Sequence, residues 1–272
     1  MDGIFRTPSQ ALYGVTRSII DKGVLVSPRN LPTFECLNVS FTITEPMCLP
    51  LNPIKNRRLS AGIATMELLQ LVAQVSRPDI MVNKFPQFAK FLDDGEFHGA
   101  YGPRLKFMTE SVIDLLKRDP LSRQAVLTIF DSESDIRYKS WRDVPCTVSI
   151  QFLIRDLMLH ARVSMRSNDV YLGLPYDLAQ FIGLQAAVAH SLSIPVGTYH
   201  HSVGSMHLYE KNRVQAIAIG YVGIDEPAPI TNFWGGEHHY NEMRHRAAMI
   251  LSGYPPLNPT TMETYMHEAI NP

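Results

Sequence analysis

The chain has 272 residues, of which 45% are apolar and 19% are charged, and its formal net charge is −1. This composition is typical of a globular protein with a sizeable core, and it shows no concentrated positive face for binding nucleic acid. The N-terminus lacks the charged-then-apolar pattern of a secretion signal, and no run approaches the roughly 20 apolar residues of a membrane span. Three cysteines without a C-x-x-C motif indicate a reducing, cytoplasmic compartment: Cys36, Cys48 and Cys146.

No internal repeat or low-complexity linker interrupts the chain, and we therefore expect residues 1–272 to form one domain. Helical spacing of apolar residues, with Gly23 and Pro78 as stop signals, predicts the first helices. The predicted helices cover residues 8–22, 59–76, 104–120, 176–192 and 235–252, and a Pro-rich tail follows the last one.

Strands are predicted between these helices, and Pro46, Pro50 and Pro53 predict an irregular loop after the first strand. The predicted strands cover residues 34–46, 123–131, 144–156, 158–167 and 197–209. In the third, one face carries Val144, Cys146, Val148, Ile150 and Phe152, and the other carries Thr147, Ser149 and Gln151. The pattern predicts an α+β fold with a mixed sheet covered by helices.

Glu67 lies in the middle of the apolar helix "ATMELLQLVA". Such a carboxylate either sits at the helix edge, tilted towards solvent, or is buried with a raised pKa. A buried acid of that kind can transfer protons.

Cys146 follows Pro145 inside a predicted half-buried strand. A lone cysteine there is either inert packing or a nucleophile, and reactivity needs a cation that favours the thiolate. Arg166, on the strand predicted to lie beside it, can supply that charge. Arg-Ser pairs also suit a phosphate, because guanidinium and hydroxyl groups both donate to it; the arginines in question are Arg29, Arg123 and Arg166.

Asp177 stands in the turn "GLPYD", where it either caps the following helix or reads the edge of a substrate. The histidine pairs at 200–201 and 238–239 show neither an H-E-x-x-H motif nor cysteines at metal spacing, so we predict no metal site.

Four segments resemble the thymidylate synthase family, in order and at family-like spacing. They are "DPLSRQ", "DVPCTVSIQFLIRD", "MRSNDVYLGLPYDLA" and "VGSMHLY", between Asp119 and Tyr209. Arg29, "MELL" and "GAYG" match more loosely. The resemblance implies that family's α+β sandwich, with one sheet face forming a homodimer interface and each site completed by the other subunit.

The resemblance also implies roles for individual residues. Cys146 corresponds to the nucleophile that attacks pyrimidine C6, and Glu67 and Tyr101 to the pair that manages water and protons around the ring. Asp169, with Gly173 in the same turn, corresponds to the folate-binding position. The nucleotide-binding positions are Arg29, Arg166 and Ser167 for the phosphate, Arg123 for the phosphate of the neighbouring subunit's nucleotide, and His207 and Tyr209 for the sugar hydroxyl.

Asp177 departs from the family pattern, because an asparagine occupies this position when the substrate is a uracil nucleotide. An asparagine offers a carbonyl to uracil N3–H and an amide to O4. Cytosine reverses that edge, since N3 accepts and N4 donates. A carboxyl accepts from N4 and shares a proton with N3, so Asp177 favours cytosine and the role of substrate reader.

The segments "QFLIRD", "MRSNDV" and "VGSMHLY" further resemble the deoxycytidylate/cytidylate 5-hydroxymethylase branch. Ser205 replaces the usual aspartate, Thr147 a histidine, and Gln124 the second arginine of a pair. The tail "MHEAINP" lacks the apolar terminus that seals the synthase site, and a less sealed site admits water to the exocyclic methylene.

We therefore expect 5-hydroxymethylation of dCMP or CMP with 5,10-methylenetetrahydrofolate. Two alternatives remain open. One is a cytidylate or uridylate C5-methylase that releases dihydrofolate, and the other is a nucleotide-binding protein without turnover.

Overall fold

The computed structural model describes residues 2–48, 59–137, 141–220 and 229–271. Within this part of the chain, seven strands form one mixed sheet. The strands are β1 (Asp2–Phe5), β2 (Val24–Val26), β3 (Thr33–Ile43), β4 (Val126–Thr128), β5 (Thr147–Arg155), β6 (Met158–Asp169) and β7 (Val196–Tyr209). Their order across the sheet is β1-β3-β7-β6-β5-β4, and β2 also pairs with β3.

The described helices flank this sheet. They are α1 (Pro8–Lys22), α2 (Ala61–Ala73), α3 (Pro78–Lys84), α4 (Tyr101–Arg104), α5 (Met108–Arg118), α6 (Ser132–Arg137), α7 (Leu174–Ser191), α8 (Arg213–Gly220), α9 (Tyr240–Leu251) and α10 (Thr261–Ile270). Because β3 runs antiparallel to β7 while β6 runs parallel to it, the sheet is mixed. The predicted α+β class is confirmed.

Among these helices, α1 has the bounds that its sequence predicts. The Thr7 side chain accepts a hydrogen bond from the Gln10 backbone N–H at 3.3 Å, and Gly23 follows the last helical residue. The α2 helix is shorter than predicted, because Gln74 adopts a left-handed conformation and ends it. Of the three loop prolines, Pro50 and Pro53 lie outside the described residues.

The strand around Cys146 corrects the prediction, since β5 begins only at Thr147. A register shift between Thr147 and Ser149 breaks the alternation, so Thr147 is buried together with Ile150. Cys146 therefore precedes the strand, and Thr147 does not share the exposed face of Ser149.

The Pro-rich tail contains the helix α10, which the sequence pattern left unassigned. A reciprocal capping box starts it: Thr260 Oγ1 accepts from the Glu263 N–H at 3.1 Å, and Glu263 Oε2 accepts from the Thr260 N–H at 2.9 Å. None of the described helices is long and apolar enough to cross a membrane.

The core lies between the helices and one face of the central strands. On that face, Phe41 of β3 and Val163 of β6 both stand opposite His201 of β7, and all three are buried. Farther along the same face, in steps of two residues, the side chains become polar. One end of this sheet face thus packs in the core, and the other end presents polar side chains that can form a binding site.

Candidate active site

Three neighbouring strands present polar side chains at this end of the sheet. Ser167 of β6 pairs in register with Ser205 of β7, and Asp169 pairs with His207. Glu35 of β3 stands opposite the same His207. Residues in register across adjacent strands share a face, so these groups form one polar floor.

A cavity of about 870 Å³ opens over this floor. Its volume lies in the upper part of the roughly 300–1,000 Å³ range of ligand sites. Every proposed site residue except Arg123 lines it: Arg29, Glu67, Tyr101, Cys146, Arg166, Ser167, Asp169, Gly173, Asp177, His207 and Tyr209.

Cys146 and Arg166 lie close together, because Cys146 directly precedes β5 and Arg166 lies near the end of the neighbouring strand β6. The Arg166 N–H donates to the Cys146 carbonyl at 2.9 Å. The Arg166 guanidinium donates to the carbonyls of Pro145 and Val144, at 2.9 and 3.0 Å. Burial raises the pKa of the Cys146 thiol, while the charges of Arg166 and Arg29 act in the opposite direction. The pair thus has the cation beside the thiol that reactivity needs.

Glu67 and Tyr101 reach the cavity from α2 and α4. The two helices approach closely at Gly102, where a Cβ atom would lie 2.4 Å from the Gln70 carbonyl oxygen. The Tyr101 hydroxyl accepts from the Thr147 N–H at 3.4 Å, and its ring stacks on Phe181. Tyr101 is therefore fixed beside the residue that follows Cys146.

Burial raises the pKa of Glu67 to about 8, and the nearby Asp177 and Asp143 carboxyls raise it further. Burial also raises the pKa of Tyr101 well above its usual value. Both groups hold their protons at neutral pH. Of the two alternatives for Glu67, the structure supports the acid with a raised pKa, on a side chain that is half-buried in the cavity wall.

Asp177 does not cap the helix on which it lies. The helix α7 starts at Leu174, two residues earlier than predicted, and its cap is Gly173, so Asp177 falls inside the first turn. Its Oδ1 accepts from Gln180 Nε2 at 2.9 Å. Burial raises the Asp177 pKa to about 7, although hydrogen bonds from Gln180 and Asn168 lower it. Near neutral pH this carboxyl exchanges between both protonation states.

Asp169 shapes the turn that carries β6 into α7. Its Oδ1 accepts from the N–H groups of Tyr171 and Leu172, each at 2.7 Å. Gly173 then leaves room for its neighbours, because a Cβ atom there would lie 2.9 Å from Asn168 Oδ1 and 3.4 Å from Asp177 Oδ2. In this structure the two positions predicted to bind folate also fix the turn beneath Asp177.

His207 connects two of the predicted nucleotide-binding positions. Its Nδ1 lies 3.3 Å from Ser167 Oγ, and its ring meets the edge of Tyr209 with centroids 5.3 Å apart. Ser167 thus contacts the histidine as well as lining the cavity. A hydroxyl, an imidazole and a phenol therefore lie side by side, and each of them can donate or accept a hydrogen bond.

The two remaining arginines differ in position. Arg29 lines the cavity from a short turn in which it adopts a left-handed backbone conformation, with φ 53° and ψ 33°. Arg123 is exposed and lies outside the residues that line the cavity. Its carbonyl accepts from Gln151 Nε2 at 2.9 Å.

Sequence reasoning missed two carboxylates of the cavity. Asp143 lies three residues before Cys146, and its Oδ2 accepts from the Gly99 N–H at 3.2 Å. Burial raises the pKa of Asp143. Glu35 accepts from Ser205 Oγ at 2.5 Å. The position of Asp143, three residues before the predicted nucleophile, is a sequence signal that could have identified it. Glu35 has no such signal, because only the pairing of strands brings it to the site.

The histidine pairs form structural contacts. His201 is buried against Asn168 and Tyr199, and burial lowers its pKa to about 3. His238 Nδ1 lies 2.8 Å from the His190 carbonyl oxygen. Across the described ranges, no three His, Cys, Asp or Glu side chains are grouped as metal ligands.

The site thus pairs a thiol with cations and with acids that keep their protons, on a mixed sheet covered by helices. The family model "Thymidylate synthase" matches residues 18–249. The chain therefore belongs to the thymidylate synthase family.

Two relatives of the chain carry names that describe different activities. The chain is 28% identical over 219 residues to "Deoxyuridylate hydroxymethyltransferase" of Bacillus phage SP01, covering 74% of this chain and 57% of the relative. It is also 28% identical over 170 residues to "Thymidylate synthase" of Ascaris suum, covering 61% of this chain and 56% of the relative. The chain thus spans somewhat more than half the length of these relatives.

Proposed function

We propose that this chain transfers a one-carbon unit from 5,10-methylenetetrahydrofolate to a pyrimidine nucleotide, and that its reaction is the 5-hydroxymethylation of dCMP or CMP. One observation carries the cytosine assignment: the Asp177 carboxyl, with a pKa of about 7, lines the same cavity as the Cys146 thiol. Such a group supplies both the acceptor and the shared proton that the cytosine edge needs.

In this proposal the arginines bind the phosphate and the base lies between Cys146 and Asp177. Protonation shared between Asp177 and N3 withdraws electrons from C6, which favours attack by the Cys146 sulfur. The new S–C6 bond makes C5 nucleophilic, and C5 attacks the one-carbon unit as the first of its two bonds to folate nitrogens breaks. The folate then stays attached to C5 through the methylene carbon.

The second half of the reaction needs proton transfers and water. Loss of the C5 proton expels tetrahydrofolate as the second carbon–nitrogen bond breaks, and this leaves an exocyclic methylene on C5. Water adds its oxygen to that methylene and gives up a proton, and the C5–C6 double bond forms again as the S–C6 bond breaks and the Cys146 thiolate leaves. Glu67 and Tyr101 keep their protons at neutral pH, so they are suited to donate and return protons around the ring. Both line the cavity with Cys146.

A uracil nucleotide is the second candidate substrate, and the name of the Bacillus phage SP01 relative favours it. The Ascaris suum relative favours a methyl product instead. With a uracil substrate, whether the product carries a hydroxymethyl or a methyl group, Asp177 would have to accept a hydrogen bond from N3–H. The ionised carboxylate can do this without sharing a proton.

The decisive test is incubation of the protein with methylenetetrahydrofolate and dCMP, CMP or dUMP, with products resolved by mass. We expect the cytosine nucleotides to gain a hydroxymethyl group. The Cys146→Ala variant is the control, and it should bind nucleotide but form no product. Hydroxymethylation of dUMP alone, or a methyl product, would replace the proposal by the corresponding alternative.

A further inference from the structure

The polar floor of the cavity contains two adjacent pairs of polar side chains. One is His207 with Tyr209 on β7, whose rings meet edge to face with centroids 5.3 Å apart. The other is Glu35 with Ser205, where the serine hydroxyl donates to Glu35 Oε1 at 2.5 Å. The pairs are neighbours because Glu35 stands directly opposite His207 in the antiparallel pairing of β3 and β7. Side chains in that relation have Cβ atoms about 4.5–5.5 Å apart.

Within the described ranges, no ion pair includes Glu35, and its side chain accepts a hydrogen bond from the Ser205 hydroxyl. Both residues line the cavity. Ser205 engages Oε1, so Oε2 is the oxygen available to accept from a ligand.

Charge restricts what this carboxylate can meet. A phosphate is repelled by it and attracted to the guanidinium groups of Arg29 and Arg166, which line the same cavity. A carboxylate accepts hydrogen bonds but does not donate them. The groups of a cytosine nucleotide that can donate to Glu35 are the N4 amino group and the sugar hydroxyls. In the proposed function Asp177 binds N4, so the sugar hydroxyls remain for Glu35, and acidic residues also bind such hydroxyls in dinucleotide-binding folds.

The number of hydroxyls distinguishes two sugars. In a 5′-monophosphate, deoxyribose has one free hydroxyl, at 3′, whereas ribose has two neighbouring hydroxyls, at 2′ and 3′. The single hydroxyl of deoxyribose satisfies one of the two adjacent pairs. The two hydroxyls of ribose can bind both pairs. With deoxyribose, the Glu35 carboxylate would instead face the C–H group at the 2′ position.

We propose that Glu35, oriented by Ser205, binds the 2′-hydroxyl of the nucleotide and makes the site selective for CMP over dCMP. This inference rests on the proposed function for the identity of the ligand as a cytosine nucleotide. Glu35 is a specificity residue, since it contacts the sugar and not the reacting atoms.

The test compares kcat/KM and Kd for CMP and dCMP in the parent, Glu35→Gln and Glu35→Leu. A hydrogen bond to a charged group is worth enough to change affinity about tenfold to a hundredfold. We expect the parent to prefer CMP by at least about tenfold, mainly through KM, and Glu35→Leu to bring the ratio close to one. Glu35→Gln, which keeps one acceptor oxygen, should lie between them.

Glu210→Gln is the matched control, because Glu210 is an exposed carboxylate at the end of β7 that does not line the cavity. Its ratio should equal that of the parent. Ser205→Ala should weaken the preference without abolishing it, and it serves if Glu35→Leu does not fold. A parent that uses dCMP as well as CMP, or an unchanged ratio in Glu35→Leu, overturns the inference.

Failure of the proposed function would look different. In that case neither sugar supports product formation, and the parent does not exchange the C5 hydrogen of any pyrimidine nucleotide with solvent. The ratio of the two Kd values still decides the role of Glu35. Equal binding of CMP and dCMP by the parent rejects it.

Discussion

In the proposed function, the carboxyl at position 177 decides which base edge the cavity accepts. Replacing it with an amide puts an N–H₂ group opposite the N4 amino group of cytosine, and the amide cannot share a proton with N3. We predict that Asp177→Asn shifts preference from cytosine to uracil. One buried polar mismatch costs on the order of 1–3 kcal/mol, which corresponds to about tenfold to a hundredfold in relative kcat/KM.

The measurement is kcat/KM for cytosine and uracil nucleotides carrying the same sugar, in the parent and in Asp177→Asn. The gain for uracil should be smaller than the loss for cytosine, because Gln180, which donates to Asp177 at 2.9 Å, is unchanged. An identical ratio in both proteins would remove the main support for cytosine.

Glu67 gives a prediction about stability and pH. Burial raises its pKa in the folded protein from the usual 4.5 to about 8. Its contribution to folding is therefore complete below pH 4.5 and is lost as the pH rises through about 8. We predict that the free energy of unfolding of Glu67→Gln does not show this decrease. In the parent the decrease amounts to roughly 3 kcal/mol, less than the full pKa shift implies, because water in the cavity screens part of the electrostatic effect.

Denaturant unfolding of both proteins from pH 5 to pH 9 measures this difference. The free energy of unfolding of the parent, relative to Glu67→Gln, should fall across that range. A constant difference would show that Glu67 titrates normally and does not have the raised pKa described above.

The sequence could predict the residues of the site better than their arrangement. Cys146, Arg166 and Asp177 lie in local segments whose order and spacing are visible along the chain. The contact of Glu35 with Ser205 depends on strands 170 positions apart, and that pairing is not visible in local periodicity. Asp177 also illustrates the limit, because its capping alternative depended on a helix start that was misplaced by two residues.

Among the elements, α10 carries the prediction with the largest effect on stability. Arg246 of α9 donates from Nε and Nη2 to the two carboxylate oxygens of Glu263, each at 2.7 Å, and both side chains are buried. We predict that Glu263→Ala destabilises the protein by about 3–5 kcal/mol, because the buried Arg246 charge loses its bidentate partner and is left with the partly exposed Glu242 carboxylate, 3.7 Å away.

Thermal and denaturant unfolding measure this loss, and Glu268→Ala is the control because Glu268 is exposed on the same helix. Close packing of α10 with α2 links the pair to the site: a Cβ atom at Gly62 would lie 2.9 Å from the Ala269 carbonyl oxygen. Equal stability of the two variants would show that the ion pair does not hold α10 in place.

Local signals explain which elements could be predicted. Long amphipathic or apolar runs located α1, α2, α5 and α7, whereas β1 and β2 are only four and three residues long and give too little periodicity. The register shift in β5 is set by its partner strand, so alternation along the chain placed Cys146 and Thr147 wrongly. The segment "TTME" contains the capping box of α10, but the prolines that precede it favoured the prediction of an irregular tail.

For the whole molecule we propose a single catalytic domain that acts as a homodimer with shared sites. Arg123 is the residue on which this depends, since it resembles a phosphate ligand of the family yet lies outside the cavity of its own chain. Its exposed position allows it to reach a neighbouring subunit. The Cys146→Ala and Arg123→Ala variants should therefore each be inactive, or nearly so, for different reasons.

Mixing these two variants tests the shared site directly. In a hybrid dimer, one site combines Cys146 of one subunit with Arg123 of the other and is intact, while the second site lacks both. Random exchange makes about half of the dimers hybrid, so recovery should approach roughly one quarter of the parental activity. Subunit exchange is verified by tagging one variant, and the Cys146→Ala variant mixed with itself is the control. Because exchange is monitored independently, a lack of recovery in demonstrated hybrids means that each subunit supplies its own phosphate ligands.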